Sequence, residues 1–129
     1  MELKWLKTVA GVGDMLGWTI LLEAGDMRRF ARVGHYASYC RCVDSKRVSN
    51  RKKKGENNRK NGNKYLAWAY VEAANFAVRY HDRVKRFYQR KKARSNGIVA
   101  IKAVAHKLAR ASYYVMRDRV AFDLNKAFG

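Results

Sequence analysis

Apolar residues recur along this chain at intervals of three and four, the spacing of one face of an α-helix. No stretch alternates long enough to predict a strand, and proline is absent. Residues Asp14 to Ala24 predict a short helix, opened by the turn Gly11-Val12-Gly13 and stopped by Gly25. Gly34 to Arg41, with aromatics at Tyr36 and Tyr39, predicts a second. Asn63 predicts an N-cap for a long helix from about Lys64. The apolar stripe of that helix runs through Leu66, Tyr70, Ala73, Ala77, Tyr80, Val84 and Phe87. The polar run Gln89 to Gly97 predicts its end, and Ser95 or Asn96 is placed to cap a last helix. That helix carries Ile98, Ile101, Ala105, Leu108, Ser112 and Val115 and frays after about Arg117. The expected fold is all-α. An N-terminal helix-hairpin-helix-like unit packs on long antiparallel helices, with a basic loop projecting between the halves.

Composition sharpens this picture. A chain of 129 residues with 48% hydrophobic content predicts one ordered domain with a real core, spanning 1–129. Its net charge is +19, from 29 basic and 10 acidic side chains. Self-repulsion on that scale calls for a partner of opposite sign. Nucleic acid fits better than an anionic membrane surface, because the charge is spread along the chain and not confined to one amphipathic face. No apolar run reaches the ~18 residues needed to span a bilayer. Lys4, Lys7 and Asp14 interrupt the N-terminal segment, which argues against a secretory signal. Cytoplasm, in association with the nucleoid, is the expected location. Cys40 and Cys42 have no second pair and no clustered histidine, so two reduced thiols are expected and no zinc site.

The charge is densest from Lys46 to Lys64. Lys46, Arg47, Arg51, Lys52, Lys53, Lys54, Arg59, Lys60 and Lys64 are opposed only by Glu56. Like charges this close repel unless phosphates or counter-ions neutralise them. Full engagement with duplex phosphates would give a log–log salt slope of up to about −8. Gly62 and Asn63 close the stretch. A second candidate contact is the Gly11–Gly13 turn before a helix, since exposed amides at a turn and a helix N-terminus can hold a phosphate. The alternative there is a plain helix-to-helix turn, with Asp14 opposing an anion.

Ser49 lies within the basic stretch. A hydroxyl nucleophile needs its charge stabilised and its proton removed. The flanking cations meet the first need, whereas His35, His81 and His106 come near only through folding. Spacing alone leaves Ser49 one serine among several. Asp14, Asp26, Asp44, Glu56, Glu72, Asp82, Asp118 and Asp123 are scattered, and their spacing builds no metal site.

Four blocks occur in a telling order. Val9 to Phe30 reads V-A-G-V-G-x(6)-I-L-L-E-A-G-D-M-R-R-F and is followed by H-Y-A-S-Y-C from His35. Then come V-S-N-R-K-K-K-G from Val48 and K-N-G-N-K-Y-L-A-W-A from Lys60. Together, from about Lys7 to about Arg117, they resemble the C-terminal domain of IS110-type insertion-sequence transposases, the group that includes the IS116 and IS902 types. The resemblance implies DNA transposition, with a serine that attacks DNA phosphodiesters and becomes covalently joined to the strand. It matches that serine to Ser49, with Asn50 where many relatives carry glycine, and leaves Ser45 as the competitor. It matches the glycine–asparagine pair before the long helix to Gly62 and Asn63. It also implies a structured guide RNA, an oligomeric assembly, and a separate RNase-H-like domain whose DEDD carboxylates hold Mg2+. That domain is not among these 129 residues, so the expectation is a truncated or split gene product, or an excised domain, with no cofactor of its own. Another polypeptide would then supply the metal. Two rival readings remain: an inactive relic that only binds nucleic acid or dimerises with an intact transposase, and a basic RNA-binding protein unrelated to transposition.

Overall fold

The computed structural model describes residues 2–40 and 62–128. Among them are seven α-helices, one 3-10 turn and no strand. In chain order the helices are α1 (Glu2–Leu6), α2 (Asp14–Ala24), α3 (Val33–Tyr39), α4 (Lys64–Tyr80), α5 (Asp82–Arg94), α6 (Gly97–Asp118) and α7 (Leu124–Phe128), with the 3-10 turn Met27–Arg29 between α2 and α3. The expected all-α fold is what the chain adopts.

The longest helix, α6, is the hub, and α1, α3, α4, α5 and α7 all pack against it. Both α4 and α6 bury alanines: Ala69, Ala73, Ala74 and Ala77 of α4 and Ala105 and Ala109 of α6. Small side chains let the two axes approach closely. Leu6, Ile20, Leu66 and Leu108 fill the spaces around that seam with fully buried side chains, each worth about 1.5–3 kcal/mol of burial. An aromatic cluster closes the core beneath α3. Tyr36 packs edge-on to Phe30 and Tyr70, and the Tyr36 and Tyr70 hydroxyls share a 2.8 Å hydrogen bond. Tyr113 donates to the Phe30 carbonyl at 2.9 Å. Buried hydroxyls so paired avoid the ~1–3 kcal/mol cost of an unsatisfied polar group.

The signalled helix ends match expectation. Gly25 stops α2 with φ +69. Asn63 and Asn96 cap α4 and α6 through side-chain oxygens. Several expectations need correction. The helix expected over Gly34–Arg41 runs from Val33 to Tyr39, with Cys40 as its cap. The helix from Lys64 does not continue to Phe87: His81 adopts an extended conformation (φ −126, ψ 111) and splits it into α4 and α5. Tyr80, counted in the buried stripe, is therefore 70% exposed at the break. Conversely, the polar run from Gln89 stays helical to Arg94, because Gln, Lys and Arg are good helix formers. Only Ser95 and Asn96 separate α5 from α6, so these two packed helices run antiparallel. Ile98, assigned to the last stripe, lies exposed in the first turn of α6. The chain then returns through α7, where Phe128 packs edge-on against Phe87.

Candidate nucleic-acid interface

Ser49 and its competitor Ser45, with Lys46, Arg47, Arg51, Lys52, Lys53, Lys54, Arg59 and Lys60, lie outside the described residues, as do Cys42 and Glu56. What the structure does define is the base from which that segment leaves and to which it returns. The Asn63 amide donates to the Tyr39 carbonyl at 2.7 Å, so the last residue of α3 and the cap of α4 meet directly.

Asn63 is the knot of this base. Its Oδ1 accepts from the amides of Tyr65 (2.9 Å) and Leu66 (3.0 Å) and so caps α4. Its Nδ2 donates to Glu23 Oε1 at 2.8 Å and to the Tyr39 hydroxyl at 3.3 Å. One side chain thereby joins the C-terminal turn of α2, the end of α3 and the start of α4. The Arg29 guanidinium lies 4.8 Å from the Phe30 ring centre and 5.0 Å from that of Tyr39. The Asn63 hydrogen bond, and then Arg29, lower the Tyr39 hydroxyl below the ordinary tyrosine range. Lys64 stands exposed beside this network, over the Tyr65 ring, and Gly62 is half-buried at its edge.

The two glycines of the N-terminal turn have different surroundings. Gly11 has φ +83, and a Cβ there would sit 2.0 Å from the Ala73 carbonyl oxygen. Its lack of a side chain is what lets the turn lie against α4. Gly13, the cap residue of α2, is exposed, and a Cβ there would meet nothing within 4 Å. The turn borders an open cleft that Trp68, Glu72, Phe76 and His81 also line. Asp14 at the cleft pairs with Lys7 at 2.6 Å, so an anion approaching the start of α2 meets carboxylates as well as amides.

Sequence reasoning missed Glu23, Arg29 and Tyr39. The block I-L-L-E-A-G-D-M-R-R-F contains two of them, but their meeting with Asn63 spans 40 residues from Glu23 and 24 from Tyr39. Among the described residues no group of three His, Cys, Asp or Glu side chains could hold a metal ion. The Mg2+ that the resemblance implies belongs to the separate RNase-H-like domain and not to these carboxylates. Cys40 is buried in the core. No helix among the described residues is long and apolar enough to cross a membrane.

Fold and site together define an all-α, strongly basic protein in which Asn63 ties the end of α3 and the end of α2 to the start of α4. The profile of the IS116/IS110/IS902 transposase family matches residues 3–89, most of the chain, and the protein belongs to that family. Neither a curated protein nor a solved structure matches it.

Proposed function

We propose that the chain is the serine-bearing domain, C-terminal in its relatives, that grips nucleic acid in an RNA-guided transposase and supplies the nucleophile for DNA strand cleavage. The observation that carries this reading is the family match from Leu3 to Gln89. It takes in the basic stretch and all the residues that brace its base. In this reading the Ser49 oxygen attacks a DNA phosphorus. The serine–phosphate bond forms as the bond to one deoxyribose oxygen breaks, and that deoxyribose leaves as a hydroxyl carrying the proton the serine gives up. The surrounding Lys and Arg side chains neutralise the charge that gathers on the phosphoryl oxygens. Gly62, Asn63 and Lys64 hold the end of the segment, and the Gly11–Gly13 turn is an auxiliary contact. An RNase-H-like carboxylate domain supplies Mg2+, and a structured RNA directs the choice of DNA.

A further element of the proposal is assembly with a second copy or an intact transposase. The outer sides of α2 and α4 support it: Met15, Trp18, Leu22, Tyr65, Trp68 and Phe76 are all exposed. Contiguous exposed apolar side chains on a soluble domain mark an interaction surface.

Ser49→Ala, tested with a DEDD-bearing partner, the guide RNA and Mg2+, is expected to abolish the covalent protein–DNA adduct and strand exchange while leaving duplex binding within about twofold, since the substitution removes no charge. Adduct formation at the wild-type level by Ser49→Ala would remove Ser49 as nucleophile. Loss of the adduct with binding retained would also separate this reading from that of a binding-only relic, for which the wild type itself forms none.

A further inference from the structure

We propose that α5 (Asp82–Arg94) lies in the major groove of duplex DNA, with cations on its two flanks contacting the phosphates of both strands. This rests on DNA being the substrate, but it concerns a surface separate from the basic stretch around Ser49. α5 begins a full length of α4, about 25 Å, from Asn63.

Seven of the thirteen residues of α5 are Lys or Arg, and Asp82 is its one acid. Among the described residues, no carboxylate lies within ion-pair distance of any of the seven. A surface that served only solubility would intersperse both signs. The inner face of α5 is marked by buried Val84 and half-buried Phe87, Tyr88 and Lys91. Helical spacing of about 100° per residue then puts Asp82, Gln89 and Ala93 along the centre of the outer face, and all three are exposed. Lys85 and Lys92 form a row along one side of that centre. Arg86 and Arg90 form a row along the other, extended by Arg94. All five are exposed.

Two cationic rows flank a centre whose one charge is Asp82 at its N-terminal end, and together they have the dimensions of a groove. A helix with side chains is about 10–12 Å across, and the major groove of B-DNA is about 12 Å wide. The flanking rows then face the two phosphate backbones, and Gln89 faces base edges, to which a glutamine amide can both donate and accept. The major groove of A-form RNA is too deep and narrow to admit the helix, so the arrangement selects duplex DNA. The last five residues of this helix, Arg90 to Arg94, fall beyond the family match.

The test uses the full chain with Lys85, Arg86, Arg90 and Lys92 replaced by Gln, titrated against a labelled DNA duplex and the same duplex in RNA over a range of KCl. Circular dichroism checks helix content, and the double variant K85Q/R90Q serves if the quadruple variant unfolds. The expected result is a loss of more than about tenfold in affinity for duplex DNA at moderate salt. The log–log salt slope should flatten by about 3 to 4 in the quadruple variant, and about half that in the double, at roughly 0.9 per phosphate contact. Duplex RNA binding should change by less than about threefold, since A-form geometry excludes the helix. An unchanged DNA slope, or equal losses on DNA and RNA, overturns the proposal. If wild type binds DNA and only substitutions around Ser49 weaken it, this inference alone falls. If wild type binds no DNA, the proposed function falls with it.

Discussion

The Asn63 side chain joins three helices through four hydrogen bonds. Two of its contacts cap α4 and two reach back to α2 and α3, so Asn63→Ala removes a helix cap and a tertiary brace together. A loss of ~1–2 kcal/mol of stability is expected from the cap, read as a lower urea midpoint. The Tyr39 hydroxyl provides an independent readout. The Asn63 hydrogen bond lowers its pKa first, with Arg29 next. Its native state therefore holds the phenolate better than the unfolded chain does. That contribution to stability is fully present above the ordinary tyrosine value of about 10, is lost as pH falls through the lowered native value, and is nil at neutral pH. Tyr36 moves the opposite way, well above its ordinary value, because it is buried and lies beside Tyr70 and Cys40. An absorbance titration with Tyr39→Phe subtracted should show Tyr39 ionising below the ordinary tyrosine value and ahead of Tyr36. Asn63→Ala should shift that step upward; if the step stays put, Asn63 does not set the state of Tyr39.

At the scale of elements, the Gly11 turn and α4 are built to touch. With φ +83 and the Ala73 carbonyl oxygen 2.0 Å from where a Cβ would stand, Gly11→Ala meets both backbone strain and a clash with main chain that cannot swing aside. The expected cost is ~2 kcal/mol or more. Gly13→Ser makes the contrast: its backbone is extended and its surroundings open, and serine at a helix cap should add a few tenths of a kcal/mol. Chemical denaturation of the two variants checks the pair, and an unchanged midpoint for Gly11→Ala would refute the close-contact role. The same elements show what was legible in sequence. Where a helix ends on a residue with its own chemistry, such as Gly25, Asn63 or Asn96, its boundary could be read. The break at His81 could not, because neither glycine nor proline marks it and the apolar spacing runs straight through. The charged run of α5 read as a helix-breaking loop because its polarity hid its good helix formers. The Glu23–Asn63–Tyr39 network was out of reach because it joins residues that only tertiary packing brings together.

Across the whole molecule, charge and apolar surface are segregated. The chain carries +19, yet α2 holds Asp14 and Glu23 with no Lys or Arg, and α4 holds Glu72 against Lys64 and Arg79. These two helices together have one more acid than base. Their outer sides also present Met15 (74% exposed) and Leu22 (76% exposed) beside Trp18, Trp68 and Phe76. On most of the surface, like-charge repulsion opposes the approach of a second copy. On the α2–α4 face it does not, and apolar area there can be removed from water at about 25 cal/mol per Å². None of the α5 cations named above belongs to this face, so two copies could hold DNA while joined. Leu22→Glu places a charge on the face at a position that is exposed, toward the Asn63 end. Sedimentation velocity at moderate salt, without nucleic acid, should find the wild type self-associating. Leu22→Glu should be monomeric, with its helix content unchanged and its DNA affinity per chain within about threefold, because no phosphate-contacting cation is altered. A monomeric wild type, or a variant that associates as strongly, would assign the apolar face to some other partner.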